Sequence, residues 1–161
     1  MHVIAPWKET RMIESTALFT LTADVDAALD LGNCGGAIRR IVAVNGGRFE
    51  GERLSGLILP GGNDVQRIRG DGVAELQIHV ALRTHEGDSI LFKGHAIRYI
   101  PEPVAQRIAA GDAVDPDSYY FREAITFETS SARLSWLNRI MALGIGRRNR
   151  DSVELEVFEV L

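Results

Sequence analysis

The stretch GGRFEGERLSGLILPGGND, Gly46 to Asp64, decides how the rest of the chain is read. Glycine pairs bracket it, and Gly51 and Gly56 lie inside it. Glycine reaches positive φ and lets backbones approach closely, so such clusters mark turns, bulges and bends. Arg53 to Leu59 places Leu57 and Leu59 on one side of an extended segment and Ile58 on the other, the pattern of a short strand covered on both faces. Pro60 has no N–H for a ladder and ends that strand. A turn, a short strand and a second turn therefore follow in quick succession. Asp64 falls just past the Pro-Gly-Gly turn, at a strand rim where barrels and sandwiches place working groups. The ordinary role of an Asp there is to cap its own turn, and the sequence favours that role.

Outward from this run, period-two alternation dominates. Ala17, Phe19, Leu21 and Ala23 alternate with Thr16, Leu18, Thr20 and Thr22, a strand rich in threonine. Asp24 to Gly36 reads as a loop, and Ile38 to Val44 as a strand with Arg39 and Arg40 on opposite faces. In Ala74 to Thr84, Leu76, Ile78, Val80 and Leu82 share one face; Glu75, Gln77, His79 and Arg83 share the other. Ser89 to Ile100 follows after His85-Glu86-Gly87-Asp88, so the two segments form a hairpin with Glu86-Gly87 at its tip. Without a bulge, Glu75 opposes Arg98 as an ion pair, His79 opposes Gly94, and His95 falls beside Ile78 on the apolar face. A three-residue loop with a glycine bulge shifts this register.

Pro101 to Gly111 is the one helix the pattern supports, with proline and glutamate at its start and glycine past its end. Tyr119 to Thr129 is a strand whose faces are Phe121/Glu123/Ile125/Phe127 and Tyr120/Arg122/Ala124/Thr126/Glu128. Arg139 to Gly146 and Val153 to Val160 complete the set, the latter with a slip in alternation at Val157-Phe158 that suggests a bulge or two covered faces. About eight strands in series with one short helix and short turns imply a mainly β, antiparallel fold. A barrel is preferred over a sandwich, because closure removes exposed edges.

The bulk numbers agree with one domain over 1–161, with residues 1–13 as an N-terminal arm anchored by Trp7. A formal charge of −4 gives no reason to expect nucleic acid or an anionic membrane as partner. The lone Cys34, the absence of a signal-peptide pattern and the absence of a long apolar run point to a cytoplasmic location. Gly32-Asn33-Cys34-Gly35-Gly36 lacks the lysine of a phosphate-binding loop, and the histidines show no metal-ligand spacing, so neither cofactor nor metal is expected.

The stretches GGRFEGERLSGLILPGGND, DGVAELQIHVALRTHEGDSI, GDAVDPDSYYFREAITFET and WLNRIMALGIG, in this order, resemble the domain-of-unknown-function family numbered 3237. The resemblance covers the chain from about Leu18 onward. It implies a β-barrel similar to the allene-oxide-cyclase-like barrels, often a homo-oligomer, and it supplies no assigned catalytic residue. Where the family more often has Asp-Ala-Arg, this chain has Gln77-Ile78-His79.

Five residues have the chemistry for a working site. His79 is an acid/base candidate, with a solvated histidine as its alternative. Tyr120 and Arg122 share one strand face and can orient an oxyanion, or can simply stack. Asp64 is a second candidate base, and Asn138 a candidate anion stabiliser. Arg40, His95 and Trp136 are candidates for contact with substrate; a core role is the commoner one for His95 and Trp136. The first expectation is an enzyme that isomerises, cyclises or adds to an apolar or aromatic metabolite without a cofactor. A carrier for a hydrophobic small molecule and a purely structural oligomer are the alternatives.

Overall fold

The alternating segments close on one another. The computed structural model describes residues 12–161, so the expected anchoring by Trp7 lies outside the described residues. Its strands are β1 (Ser15–Val25), β2 (Leu29–Asn33), β3 (Ile38–Glu50), β4 (Gly56–Ile58), β5 (Gly62–Ile68), β6 (Ala74–Thr84), β7 (Ser89–Tyr99), β8 (Tyr120–Glu128), β9 (Ala142–Arg148) and β10 (Ser152–Val160). The helix α1 (Glu102–Ala109) joins β7 to β8. All pairings are antiparallel, and the ladder runs β1-β10-β9-β8-β7-β6 and then through β4 and β5 to β3, which pairs back onto β1. β4 and β5 occupy one stave, broken at Pro60, so the closed barrel has eight staves.

Three local expectations change. Gly46 and Gly47 do not turn the chain; they bend β3 in mid-strand at φ of 142° and 138°. β1 follows that bend with a register shift between Asp24 and Val25. The slip at Val157-Phe158 has its bulge across the ladder, where Leu18 is skipped between Ala17 and Phe19. The segment read as a loop, Asp24 to Gly36, contains β2, which extends a hairpin with the first half of β3.

The β6–β7 hairpin carries the most consequential change. Thr84 and Asp88 close a loop of His85, Glu86 and Gly87, with Gly87 at φ 97°. This glycine-bulge loop moves the register by one residue, so Glu75 faces Ile97 and Gln77 faces His95. A one-residue shift reverses which face a side chain occupies relative to its partner. Arg98 therefore turns inward, and Glu75 pairs on the outside with Arg67 and Arg69, at 3.2 and 3.6 Å.

The two ends of the barrel differ. One end is filled by Phe19, Phe49, Phe92 and Phe127, whose rings meet edge-on at centroid distances of 5.3 to 6.1 Å. Such pairs add roughly 0.5–1.5 kcal/mol each beyond the burial of their area. Leu134 and Leu137, from the short helical turn after β8, belong to the same core, and Trp136 packs against it. The Arg53 guanidinium stacks on Trp136 at 3.9 Å, so this end is a floor. The other end is where β7 passes to α1 and β8 begins. There Ile108 of α1 joins Leu76, Ala96, Tyr119 and Phe121 in a second, smaller core.

Asn138 serves the floor. Its side chain accepts from the Thr129 N–H at 2.8 Å and donates to the Thr129 carbonyl at 2.9 Å. Two side-chain bonds to one backbone unit fix the exit of β8. Asn138→Ala is expected to cost about 1–2 kcal/mol, a fall in Tm of roughly 3–6 °C by calorimetry. An unchanged melting point would mean that the clamp is idle.

Candidate active site in the barrel mouth

Above the floor, the inward face of each strand changes character. On β7 it runs Ile90, Phe92, Gly94, Ala96, Arg98, and on β9 Ala142, Gly144, Gly146, Arg148. On β8 it is Phe121, Glu123, Ile125, Phe127, and on β5 Asp64 and Gln66. The glycines of β7 and β9 make room for side chains of neighbouring strands, Glu123 at Gly94, Leu155 at Gly144 and Phe121 at Gly146, and charged residues border the space that remains. The space left in the lumen, counted as volume open to the centres of water molecules, is about 60 Å³. That holds a few waters or a compact ligand. Asp64, Gln66, Arg98, Glu123 and Arg148 line it together with apolar side chains such as Leu21, Val44, Leu76 and Phe92.

Glu123 is 5% exposed and Gln66 4%. Gln66 Nε2 donates to Asp64 Oδ2 at 2.6 Å, which leaves Asp64 Oδ1 buried and without a partner among the described residues. Glu123 Oε1 is likewise buried and unpartnered. Gly94 is a glycine because the Glu123 carboxyl occupies its place: a Cβ there would overlap Oε1 and lie 2.7 Å from Cδ. Burial pushes the Glu123 carboxyl up to about 8, and the charge of Asp64 adds to the effect. Burial raises Asp64 as well, against the lowering by Gln66, Arg98 and Arg148.

Burial pulls Arg98 and Arg148 down, but a guanidinium starts so high that both stay charged. Arg148 Nη1 donates to the Ser152 carbonyl at 3.0 Å, and the Arg148 backbone N–H donates to the Tyr119 hydroxyl at 2.9 Å. The Arg98 side chain makes no hydrogen bond or ion pair among the described residues; its guanidinium stands 5.7 Å from the Phe121 ring. Arg40, on the inward face of β3 opposite Gln66, reaches Asp30 at 3.4 Å. The mouth thus holds two carboxyl groups with unused oxygens beside guanidinium groups with unused donors. Such a set can accept a proton, donate one, and stabilise an oxyanion.

Of the sequence-derived candidates, Asp64 lies in the lumen and Arg40 stands on the same inward face. Asp64 bonds to Gln66 instead of capping a turn. Tyr120, 51% exposed, and Arg122 lie on the outer face of β8 and stack on each other at 5.2 Å. His95 shares a shallow outer groove with them. His79 is also outside, facing Lys93. The expectation that His79 and His95 take opposite faces fails because the hairpin loop is one residue longer than assumed. Asn138 and Trp136 belong to the floor. Among the described residues no cluster of three or more His, Cys, Asp or Glu could hold a metal ion.

Glu123, Arg98, Arg148 and Gln66 were missed by sequence reasoning. The signal existed for three of them: a lone charge on an otherwise apolar or small-residue stripe, in Phe121/Glu123/Ile125/Phe127, Ile90 to Arg98, and Ala142 to Arg148. Gln66 sits on a strand that the sequence did not reveal.

Fold and site together define a class, a small closed antiparallel barrel with a solid floor and a charged mouth. The chain belongs to the family of proteins of unknown function DUF3237, whose model matches residues 14–160. A UPF0311 protein of Rhodopseudomonas palustris (strain TIE-1) is 34% identical over 152 residues, 94% of this chain and 99% of that protein. The crystal structure of the conserved protein of unknown function RPA1785 from R. palustris superposes with a TM-score of 0.89 at 34% identity, covering 94% of this chain and all of that one. An enzyme from Penicillium herquei shares the fold at a TM-score of 0.72 and 19% identity, over 97% of this chain and the whole of the other.

Proposed function

We propose that this protein is an enzyme that moves a proton on a small carbonyl compound with an apolar or aromatic body, as in an isomerisation or cyclisation. The observation that carries the reading is the pair of buried carboxyl groups, Asp64 and Glu123, each with an unpartnered oxygen, in one cavity with Arg98 and Arg148. Asp64 Oδ1 takes a proton from the carbon next to the carbonyl. The charge that develops on the carbonyl oxygen is met by Arg98 and Arg148. Glu123, protonated at neutral pH, returns a proton to the oxygen or to a second carbon. Atoms balance: one proton leaves carbon, one arrives, and Asp64 passes its proton back through Glu123 or solvent. The description of the fungal fold relative as an enzyme is compatible with this reading. The chemistry rests on positioning and charge. The exposed apolar side chains Tyr120, Leu143 and Ile145, on the outer face of β8 and β9, are in the same reading the surface through which copies associate.

Exchange of α-protons for deuterium tests it. Aromatic ketones and keto acids incubated with the protein in D2O are expected to gain deuterium at the α carbon, followed by NMR. Asp64→Asn and Glu123→Gln should each slow the exchange by roughly 10²–10⁴-fold. Binding without exchange would point instead to the carrier, and exchange indifferent to both substitutions would remove the site from consideration.

A further inference from the structure

We propose that the barrel mouth selects a compact organic monocarboxylate, its carboxylate seated on Arg98 and Arg148 and its apolar body directed toward Phe92. This deepens the reading of the lumen as the working site and rests on it.

Arg98 is the decisive side chain. A guanidinium carries N–H donors in a planar fork that matches a carboxylate edge. Among the described residues none of these donors is used inside the protein, although the side chain lines the lumen. Taking a charge out of bulk water without a partner is costly, so an inward, unpaired arginine marks a place for an anion. Arg148 lines the same cavity with most of its donors free. Charge balance sets the anion's size. Asp64 neutralises one of the two guanidinium groups, Glu123 is neutral, and a single positive charge remains. A monoanion cancels it. A phosphate ester, with a charge near −2, would leave excess negative charge beside Asp64. A cation would meet both arginines. Shape sets the rest. Below the charged ring the lining is Leu21, Val44, Leu76 and Phe92, and the floor is closed, so the ligand is short and its buried part apolar. The unpartnered Glu123 Oε1, in a side chain only 5% exposed, gives a second polar anchor for an oxygen of the ligand.

Benzoate, its neutral isostere benzamide, and phenyl phosphate form the test, titrated into the full chain by calorimetry at pH 7. Benzoate is expected to bind at least tenfold more tightly than either of the others. Arg98→Gln should weaken benzoate roughly thirtyfold or more, the usual loss when one partner of a buried, hydrogen-bonded charge pair is removed. Arg98→Lys, which keeps the charge but not the fork, should fall between. Arg67→Gln, on the outer face, should leave affinity unchanged. Thermal melts of each variant report folding at the titration temperature, and Arg98→Lys stands in if Arg98→Gln does not fold. Equal affinity for benzoate and benzamide, tighter binding of phenyl phosphate, no binding of benzoate at millimolar concentration, or a folded Arg98 variant with unchanged affinity would overturn the proposal. Carboxylate selectivity without α-proton exchange would sustain it and overturn the proton-transfer reading; exchange without carboxylate selectivity would do the reverse.

Discussion

Exchanging Glu123 for glutamine is expected to flatten the dependence of stability on pH between about 5 and 8. The sign follows from where the proton sits. An exposed glutamate in the unfolded chain ionises near 4.5, whereas the folded protein holds the Glu123 proton up to about 8. Between these values the folded state carries a proton that the unfolded state has lost. The contribution of Glu123 is therefore fully present below the ordinary carboxylate range and is lost as pH rises through the folded value. Each unit is worth about 1.4 kcal/mol, so the fall amounts to a few kcal/mol. Asp64, also raised by burial, works in the same direction. Arg98 and Arg148 face the same cavity and keep their charge across this window.

Two carboxylates elsewhere oppose the trend but act lower on the scale. Asp71 is held down by Arg69, and Asp88 by Ser131 and Arg133. Their contribution is present above the ordinary carboxylate range and is lost only as pH drops through their lowered values. Urea titrations of the wild type from pH 5 to 9 should give a falling unfolding free energy, and Glu123→Gln a much flatter line. Parallel lines for the two proteins would show that Glu123 ionises normally, and the acid role assigned to it would go with that result.

The second large effect is structural. Gly47→Ala is expected to remove about 3 kcal/mol or more of stability and to lower Tm by roughly 10 °C. Gly47 has φ of 138°, in a region that side chains avoid. A Cβ there would also overlap the Thr22 carbonyl oxygen and lie 3.0 Å from Ala23 Cα. These are backbone atoms of β1, so no rotamer change relieves the contact. The pairing of β1 with β3 that closes the barrel would have to open. Gly61→Ala separates strain from clash: its φ is 105°, but nothing lies within 4 Å of the added carbon. It should cost on the order of 1–2 kcal/mol. If both substitutions cost the same, close approach of β1 and β3 is not what Gly47 provides.

The architecture was largely legible because its signal is repeated. Alternation along β1, β6, β7, β8 and β10 gives strands, the short turns give antiparallel pairing, and Pro101 to Gly111 gives the helix. β5 escaped notice for a functional reason. Its inward residues, Asp64 and Gln66, are polar, so the segment Gly62–Ile68 lacks the apolar alternation that betrays a half-buried strand. β2 is exposed along its whole length and carries no burial pattern to read.

The site was legible only in part, for reasons of register. Tyr120 and Arg122 drew attention because their chemistry is conspicuous, yet the face that holds Phe121, Ile125 and Phe127 faces the interior, and Glu123 goes with it. One extra residue in the His85-Glu86-Gly87 loop was enough to send His95 outside and Arg98 inside. Composition identifies which residues have useful chemistry; the loop length decides which of them meet. The more productive rule for such a barrel is to look for the charge that interrupts an apolar stripe.

The division between an aromatic floor and a sparsely filled mouth has an evolutionary consequence. The charged groups that would meet a ligand and the phenylalanines that plug the barrel occupy different storeys of the same cylinder, with Phe92 shared between them. Drift at cavity-lining positions such as Val42, Leu76 or Ile78 can reshape the receptacle while the phenylalanine plug keeps the scaffold intact. A lineage built on this plan is free to diversify what it handles without renegotiating how it folds.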